Sequence, residues 1–84
     1  MTRLTVRYFA SIREALGESE SIEVAAGSTV GDLRDQLIAL GGAHAGALAR
    51  GRVLRTAVNQ VLGDEAAIAG EGAEIAFFPP VTGG

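Results

Sequence analysis

The stretch GSTVGDLRDQLIALGG, residues 27–42, decides the fold. Ser28 or Thr29 is placed to cap a helix here, and Asp32 lies in its first turn, where the helix dipole favours a carboxylate. The Gly-Gly pair that closes the stretch is typical of a helix end. The large apolar residues recur at helical spacing and share one face: Val30, Leu33, Leu37 and Leu40. The stretch therefore predicts an amphipathic helix that must pack against another element.

The segments on both sides of this helix alternate polar and apolar residues, the pattern of strands with one buried face. In the first strand Leu4, Val6 and Tyr8 share a face, and in the last strand Ile75 and Phe77 do. Because the first and last strands are both rich in large apolar residues, we expect them to be central neighbours. Strands are predicted at residues 4–9, 21–24, 52–58, 61–62 and 74–78.

Three further segments complete the order of elements. Residues 10–16 predict a short helix closed by Gly17, residues 43–50 a ragged helical turn, and residues 66–69 a short turn of helix. One main helix across one face of a mixed sheet of about five strands satisfies the two-layer rule. We therefore expect an α+β protein of the ubiquitin-like β-grasp class, with the β-grasp domain at 1–78 and an extended tail at 79–84.

Composition narrows the classes of function. The 84 residues form one domain with little room for an internal ligand cavity, and the net charge of -3 argues against a nucleic-acid partner. All basic residues are arginine, and the absence of cysteine excludes a disulfide or a thiolate nucleophile. An alternating N-terminus and the lack of a long apolar run predict no signal peptide and no membrane segment, so we expect a cytoplasmic protein.

The chain ends in FFPPVTGG, residues 77–84. Pro79 and Pro80 end the sheet, and the four residues after them span about 13 Å at full extension. Without side chains, Gly83 and Gly84 can enter a narrow channel and present a carboxylate. Adenylation followed by attack of a persulfide would turn that carboxylate into a thiocarboxylate, so a chain without cysteine could carry sulfur. The alternative is a flexible glycine end without function.

The segment 77–84 closely resembles the C-terminal signature of the molybdopterin synthase small subunits, a family of ubiquitin-like sulfur carriers. Residues 8–14 (YFASIRE) look like that family's first strand and short helix, and residues 57–60 (AVNQ) look like its internal turn. Residues 70–75 look like the acidic turn before its last strand. The resemblance covers essentially the whole chain, and the tail is its most specific part.

This resemblance implies a reaction and its partners. An adenylating enzyme related to ubiquitin-activating enzymes would use ATP to charge Gly84, with Gly83 giving access to the tip, and a sulfurtransferase system would supply sulfur. The tail would enter the large synthase subunit, where cyclic pyranopterin monophosphate receives two sulfurs as a dithiolene. The family assembles as a heterotetramer whose large subunit holds the catalytic side chains. The chain itself would bind no cofactor or metal and would serve as a sulfur donor.

Several residues are candidates for partner binding. Strand alternation places Phe9 and Phe78 off the core face, and Leu62 lies on the short strand, so the three predict an exposed apolar surface for a partner. The alternative is a satellite cluster beneath residues 43–50. Arg13 could pair with an acidic partner residue or be a solvated helix charge. The tail adds its own candidate contacts: Pro79, Pro80, Val81 and Thr82.

Other polar residues favour simpler interpretations. His44 is the only histidine, and without a nearby cysteine it cannot form a metal site, so we expect an exposed loop residue. Glu71 and Glu74 are expected to solubilise the final turn or to meet a basic partner rim.

Three other functions fit parts of the pattern. A related carrier could deliver sulfur for the thiamine thiazole or for cysteine synthesis, although thiazole carriers usually lack the Phe-Phe-Pro-Pro exit. A ubiquitin-like modifier would use the same activation chemistry and form isopeptide bonds. A plain interaction domain would tolerate the loss of Gly84.

Overall fold

A computed structural model describes residues 1–80, which form one mixed sheet with helices packed on one of its faces. The sheet order is β2-β1-β5-β3-β4, with β1 and β5 parallel and the other neighbours antiparallel. The elements, in chain order, are β1 Thr2–Tyr8, α1 Ala10–Leu16, β2 Ser19–Val24, α2 Val30–Ile38, α3 Gly42–Ala47, β3 Arg55–Val58, β4 Val61–Gly63 and β5 Glu74–Phe78.

The centre of the sheet is the pair β1 and β5, as the sequence predicts. Their register sets Val6 beside Ile75 and Tyr8 beside Phe77, and these four side chains are buried on the face that carries the helices. The rings of Tyr8 and Phe77 stack with centroids 6.4 Å apart. Strand alternation therefore places the core residues of both strands correctly.

Helix α2 lies across this face and begins with a capping box. The Thr29 hydroxyl accepts the Asp32 N–H at 3.1 Å, and the Asp32 carboxylate accepts the Thr29 N–H at 3.0 Å, so two N–H groups at the helix start are satisfied. Val30, Leu33 and Leu37 are buried beneath the helix. The predicted apolar face is wrong at its last position, Leu40, because the helix ends at Ile38 and leaves Leu40 exposed.

Three other predicted elements also differ from the structure. The predicted turn of helix at 66–69 is wrong, because Ile68 forms an antiparallel bridge with Thr29, and Ala67 and Ala69 bond the backbone at the start of α2. Strand β2 begins two residues earlier than predicted, and β3 three residues later. The segment 43–50 contains a defined helix, α3.

Among residues 1–80, no helix combines the length and the hydrophobicity needed to cross a membrane.

Candidate functional site

The sheet face opposite the helices, which we call the open face, carries the off-core candidates. One row across four strands is set by the register and consists of Arg7, Ala76, Ala57 and Leu62. The alanines keep the centre of this row low, while the Leu62 side chain at its end is exposed. In the next row toward the chain exit, Phe78 on β5 lies opposite Arg55 on β3. The open face is thus apolar along its middle and charged at its ends.

Phe9 and Phe78 form an aromatic pair at the exit of the chain from the sheet. Their ring centroids are 6.3 Å apart and the rings are nearly perpendicular at 88°, the edge-to-face arrangement that aromatic pairs prefer. Phe9 keeps this position because its N–H donates to the Phe77 carbonyl at 3.2 Å, which prolongs the β1–β5 ladder. Phe9 is 38% exposed, and Phe78 is half-buried.

A shallow groove of about 410 Å³ runs along the open face, and it includes all three predicted apolar residues. No residue of the segment 43–50 lines the groove, so the alternative of a satellite cluster beneath that segment is wrong. That a partner occupies the groove stays a prediction. Its lining residues are Arg7, Phe9, Ala57, Gln60, Leu62, Glu74, Ala76 and Phe78.

Arg7 is held in place by its neighbours. Its guanidinium lies 3.8 Å from carboxylate oxygens of both Glu18 and Glu74, and its central carbon is 5.5 Å from the Phe9 ring centroid. These are long, partly exposed ion pairs that contribute little stability, but they neutralise the Arg7 charge. Glu74 therefore has an internal partner in addition to the solubilising role predicted for it.

The chain leaves the sheet beside the aromatic pair. Strand β5 ends at Phe78, and Pro80 lines a second groove, next to β3 and β4, together with Arg55. The predictions for the rest of the tail lie outside the described residues 1–80 and concern Val81, Thr82, Gly83 and Gly84.

Arg13 projects from α1 and is exposed. Across residues 1–80 it takes part in no ion pair, so a contact with a partner stays a prediction for this residue. Glu71 differs from the solubilising charge that we expected, because its carboxylate accepts the Arg3 backbone N–H at 3.1 Å and so supports the turn before β5.

His44 contradicts the prediction of an exposed loop residue. It lies in α3, and its Nε2 is 2.8 Å from the Glu20 carboxylate, which also accepts the Tyr8 hydroxyl at 2.7 Å. Partial burial alone would raise the pKa of Glu20, but the hydrogen bonds from His44 and Tyr8 outweigh it and lower that pKa. Burial and the adjacent Glu20 raise the pKa of Tyr8 well above its ordinary range. The cluster joins α3 to the sheet edge.

Arg34 is a buried cation that sequence reasoning missed. It is 3% exposed, and its guanidinium donates to three backbone carbonyls of residues 48–52 and, at 2.7 Å, to Glu65. A signal existed, since Arg34 lies four positions after Val30 and three before Leu37, within the apolar face of α2. Its contacts are structural and lie away from the open face. Within residues 1–80 no group of three metal-ligating side chains occurs.

A five-stranded mixed sheet with parallel β1 and β5, a helix across one face and a chain exit beside an aromatic pair define a ubiquitin-like β-grasp protein. The model of the ThiS family matches residues 6–84, and the chain belongs to the ThiS family. The predicted fold class and the predicted family are both confirmed.

Two curated relatives are similar along their whole length. One, from Escherichia coli (strain K12), is 44% identical and is a "Molybdopterin synthase sulfur carrier subunit"; the match covers 96% of this chain and 99% of that protein. Another of the same name, from Mycobacterium tuberculosis, is 37% identical, and the match covers 100% of both chains.

Two solved structures share the fold. Small archaeal modifier protein 1 of Haloferax volcanii has a TM-score of 0.77 at 27% identity, covering 96% of this chain and 100% of that one. A chain in the complex of subunits 1 and 2 of the molybdopterin-converting factor from Helicobacter pylori has a TM-score of 0.69 at 27% identity, covering 99% and 100%.

Proposed function

We propose that this chain is the sulfur carrier of a molybdopterin synthase and that it holds sulfur as a thiocarboxylate on Gly84. The observation that carries the proposal is the full-length similarity to two proteins named molybdopterin synthase sulfur carrier subunit. The sequence supports it, because a chain without cysteine has no thiol on which to hold sulfur, whereas a C-terminal diglycine offers a carboxylate.

The chemistry runs through the terminal carboxylate. One carboxylate oxygen attacks the α-phosphorus of ATP and releases pyrophosphate, which leaves an acyl-adenylate on Gly84. A persulfide sulfur of the sulfurtransferase system attacks the acyl carbon and AMP leaves; a thiol then cleaves the sulfur–sulfur bond and leaves the thiocarboxylate. Two such transfers give cyclic pyranopterin monophosphate the sulfurs of the dithiolene. The carrier supplies sulfur, and the catalytic side chains belong to the large subunit.

The open face and the tail contact the partners in different ways. Phe9, Phe78 and Leu62 form the apolar surface on which the large subunit and the adenylating enzyme dock, and the tail from Pro79 onward reaches the reaction centre. The Helicobacter pylori complex of two molybdopterin-converting factor subunits supports docking on a second subunit. A half-exposed aromatic pair is suited to the centre of such an interface, where aromatic residues contribute most to affinity.

Intact-mass analysis tests the sulfur carrier directly. We expect protein produced with its adenylating enzyme and sulfurtransferase to show one oxygen replaced by one sulfur, and fragmentation to locate the sulfur at Gly84. The matched control is a variant lacking Gly84, which should stay unmodified. Sulfur at another residue, or no sulfur with a competent adenylating enzyme, would contradict the proposal.

A second candidate function is that of a ubiquitin-like protein modifier. The similarity to the small archaeal modifier protein 1 favours it, since a modifier and a sulfur carrier need the same adenylated C-terminus. Isopeptide-linked adducts in cells, identified by mass spectrometry of tryptic peptides, would support this function. Dithiolene formation from cyclic pyranopterin monophosphate would support the first.

A further inference from the structure

Arg55 is a cation of the open face that forms no ion pair within residues 1–80, although Asp64 and Glu65 line the same groove. It lies directly opposite Phe78 in the β3–β5 register, a position in which the two Cβ atoms are about 5 Å apart. Arg55 is exposed, and within residues 1–80 it takes part in no ion pair, whereas Arg7 on the same face is neutralised by Glu18 and Glu74. The Arg55 guanidinium beside the aromatic pair is therefore available to an anionic group of a partner.

The position of Arg55 constrains any protein that covers the aromatic pair. A partner that buries the Phe78 ring must also cover Arg55, because the two side chains are cross-strand neighbours. Removing a guanidinium from water without an anionic partner is costly, whereas its planar fork matches a carboxylate in a bidentate geometry. The chain as a whole carries a net charge of -3, so a local positive charge also orients an approaching partner.

We propose that the docking partner presents an Asp or Glu carboxylate to Arg55, next to an apolar pocket for Phe9 and Phe78, and that this ion pair contributes to the affinity of the complex. The inference rests on the proposed function, because the partner in question is the large subunit of the synthase. Arg55 acts in recognition and does not touch the reacting carboxylate.

Binding of the full chain to the large subunit, measured by calorimetry at about 50 mM and about 500 mM salt, tests the ion pair. We expect Arg55→Gln to weaken binding about 10-fold and Arg55→Glu about 100-fold. Arg55→Lys should weaken it less than Arg55→Gln, because an ammonium keeps the charge but cannot pair through two parallel bonds. The affinity of Arg55→Gln should also fall less with salt than that of the parent.

Arg3→Glu is the matched control. Arg3 lies on the same sheet face at the far end of β1, where it pairs with Glu23 at 2.8 Å, and the substitution changes the net charge as much as Arg55→Glu does. We expect it to alter the affinity less than about 3-fold. Melting temperatures verify folding, and the Gln and Lys variants decide the question if Arg55→Glu does not fold.

The outcomes separate the two proposals. If the parent chain does not bind the large subunit, the proposed function and this inference both fail. If the parent binds and Arg55→Gln and Arg55→Glu bind as tightly with the same salt dependence, this inference alone is overturned. A loss of affinity in Arg3→Glu equal to that in Arg55→Glu would also overturn it, since net charge would then explain the effect.

Discussion

Phe77 and Phe78 are neighbours in the chain, and strand geometry gives them opposite environments. Phe77 is fully buried and stacks on Tyr8, whereas Phe78 lies half-buried on the open face against Phe9. The same aromatic side chain therefore serves the core at one position and the candidate docking surface at the next, because successive residues of a strand point to opposite faces.

Truncation of each phenylalanine should separate folding from binding. We expect Phe77→Ala to lower the free energy of unfolding by about 3–5 kcal/mol, since it leaves a cavity in the core. Phe78→Ala should cost at most about 1 kcal/mol of stability but about 2 kcal/mol or more of binding to the large subunit. Denaturant titration and calorimetry measure the two quantities. Equal losses of stability in both variants would mean that the faces are assigned wrongly.

At the scale of elements, the sequence predicts those helices and strands whose apolar residues recur at a regular spacing and whose ends carry capping residues or glycines. Alternation in β1 and β5 and the helical spacing of α2 locate the core, because burial on one face imposes those periods. The prediction of a helical turn at 66–69 is wrong because the backbone of this segment hydrogen-bonds to the start of α2, a contact between residues distant in sequence. The partners of His44 and Arg34 cannot be predicted for the same reason, since they lie far away in the chain, although the position of Arg34 within the apolar face of α2 indicates its burial.

The His44–Glu20 contact joins α3 to the edge strand β2, and its contribution to the free energy of unfolding should depend on pH. The pKa of Glu20 is lowered in the folded protein, so its contribution is complete above the pKa of the unfolded chain and is lost as pH falls through the folded value. We expect Glu20→Gln to cost about 1 kcal/mol at neutral pH and progressively less below about pH 4.5.

Melting temperatures of the parent and Glu20→Gln across this range measure the effect. Glu14→Gln, at an exposed position of α1, removes the same charge away from this contact, and it is the control that should match the parent at neutral pH. If the difference in melting temperature between the parent and Glu20→Gln stays the same as the pH is lowered, the charge of the Glu20 carboxylate does not contribute to stability.

At the scale of the whole molecule, the core and the candidate docking surface lie on opposite faces of the sheet. The core lies between the helices and one sheet face, while the open face and the chain exit at Phe78 and Pro80 lie outside it. Because β1 and β5 are parallel, the chain starts at one end of the sheet and leaves at the other. A partner can therefore bind the open face and the tail without disturbing the core.

Sulfur delivery should require a tail that ends at Gly84 and has no side chain at position 83. Adding one residue after Gly84, or replacing Gly83 with Val, should abolish sulfur delivery, because the extension moves the activated carbonyl to a different residue and a β-branched side chain would block a narrow channel. Both changes lie beyond the last strand, so circular dichroism and the melting temperature should match the parent.

The measurement is dithiolene formation by the large subunit from cyclic pyranopterin monophosphate, with carriers charged beforehand. Thr82→Ser is the control within the tail, since it keeps the terminal diglycine and adds no bulk, and it should support normal yield. Failure of the extended variant must occur at charging or at transfer, and intact mass before the assay distinguishes the two. An extended carrier that gives normal product without being trimmed back to Gly84 would overturn the requirement for sulfur at Gly84, because the thiocarboxylate would then have acted from the added residue.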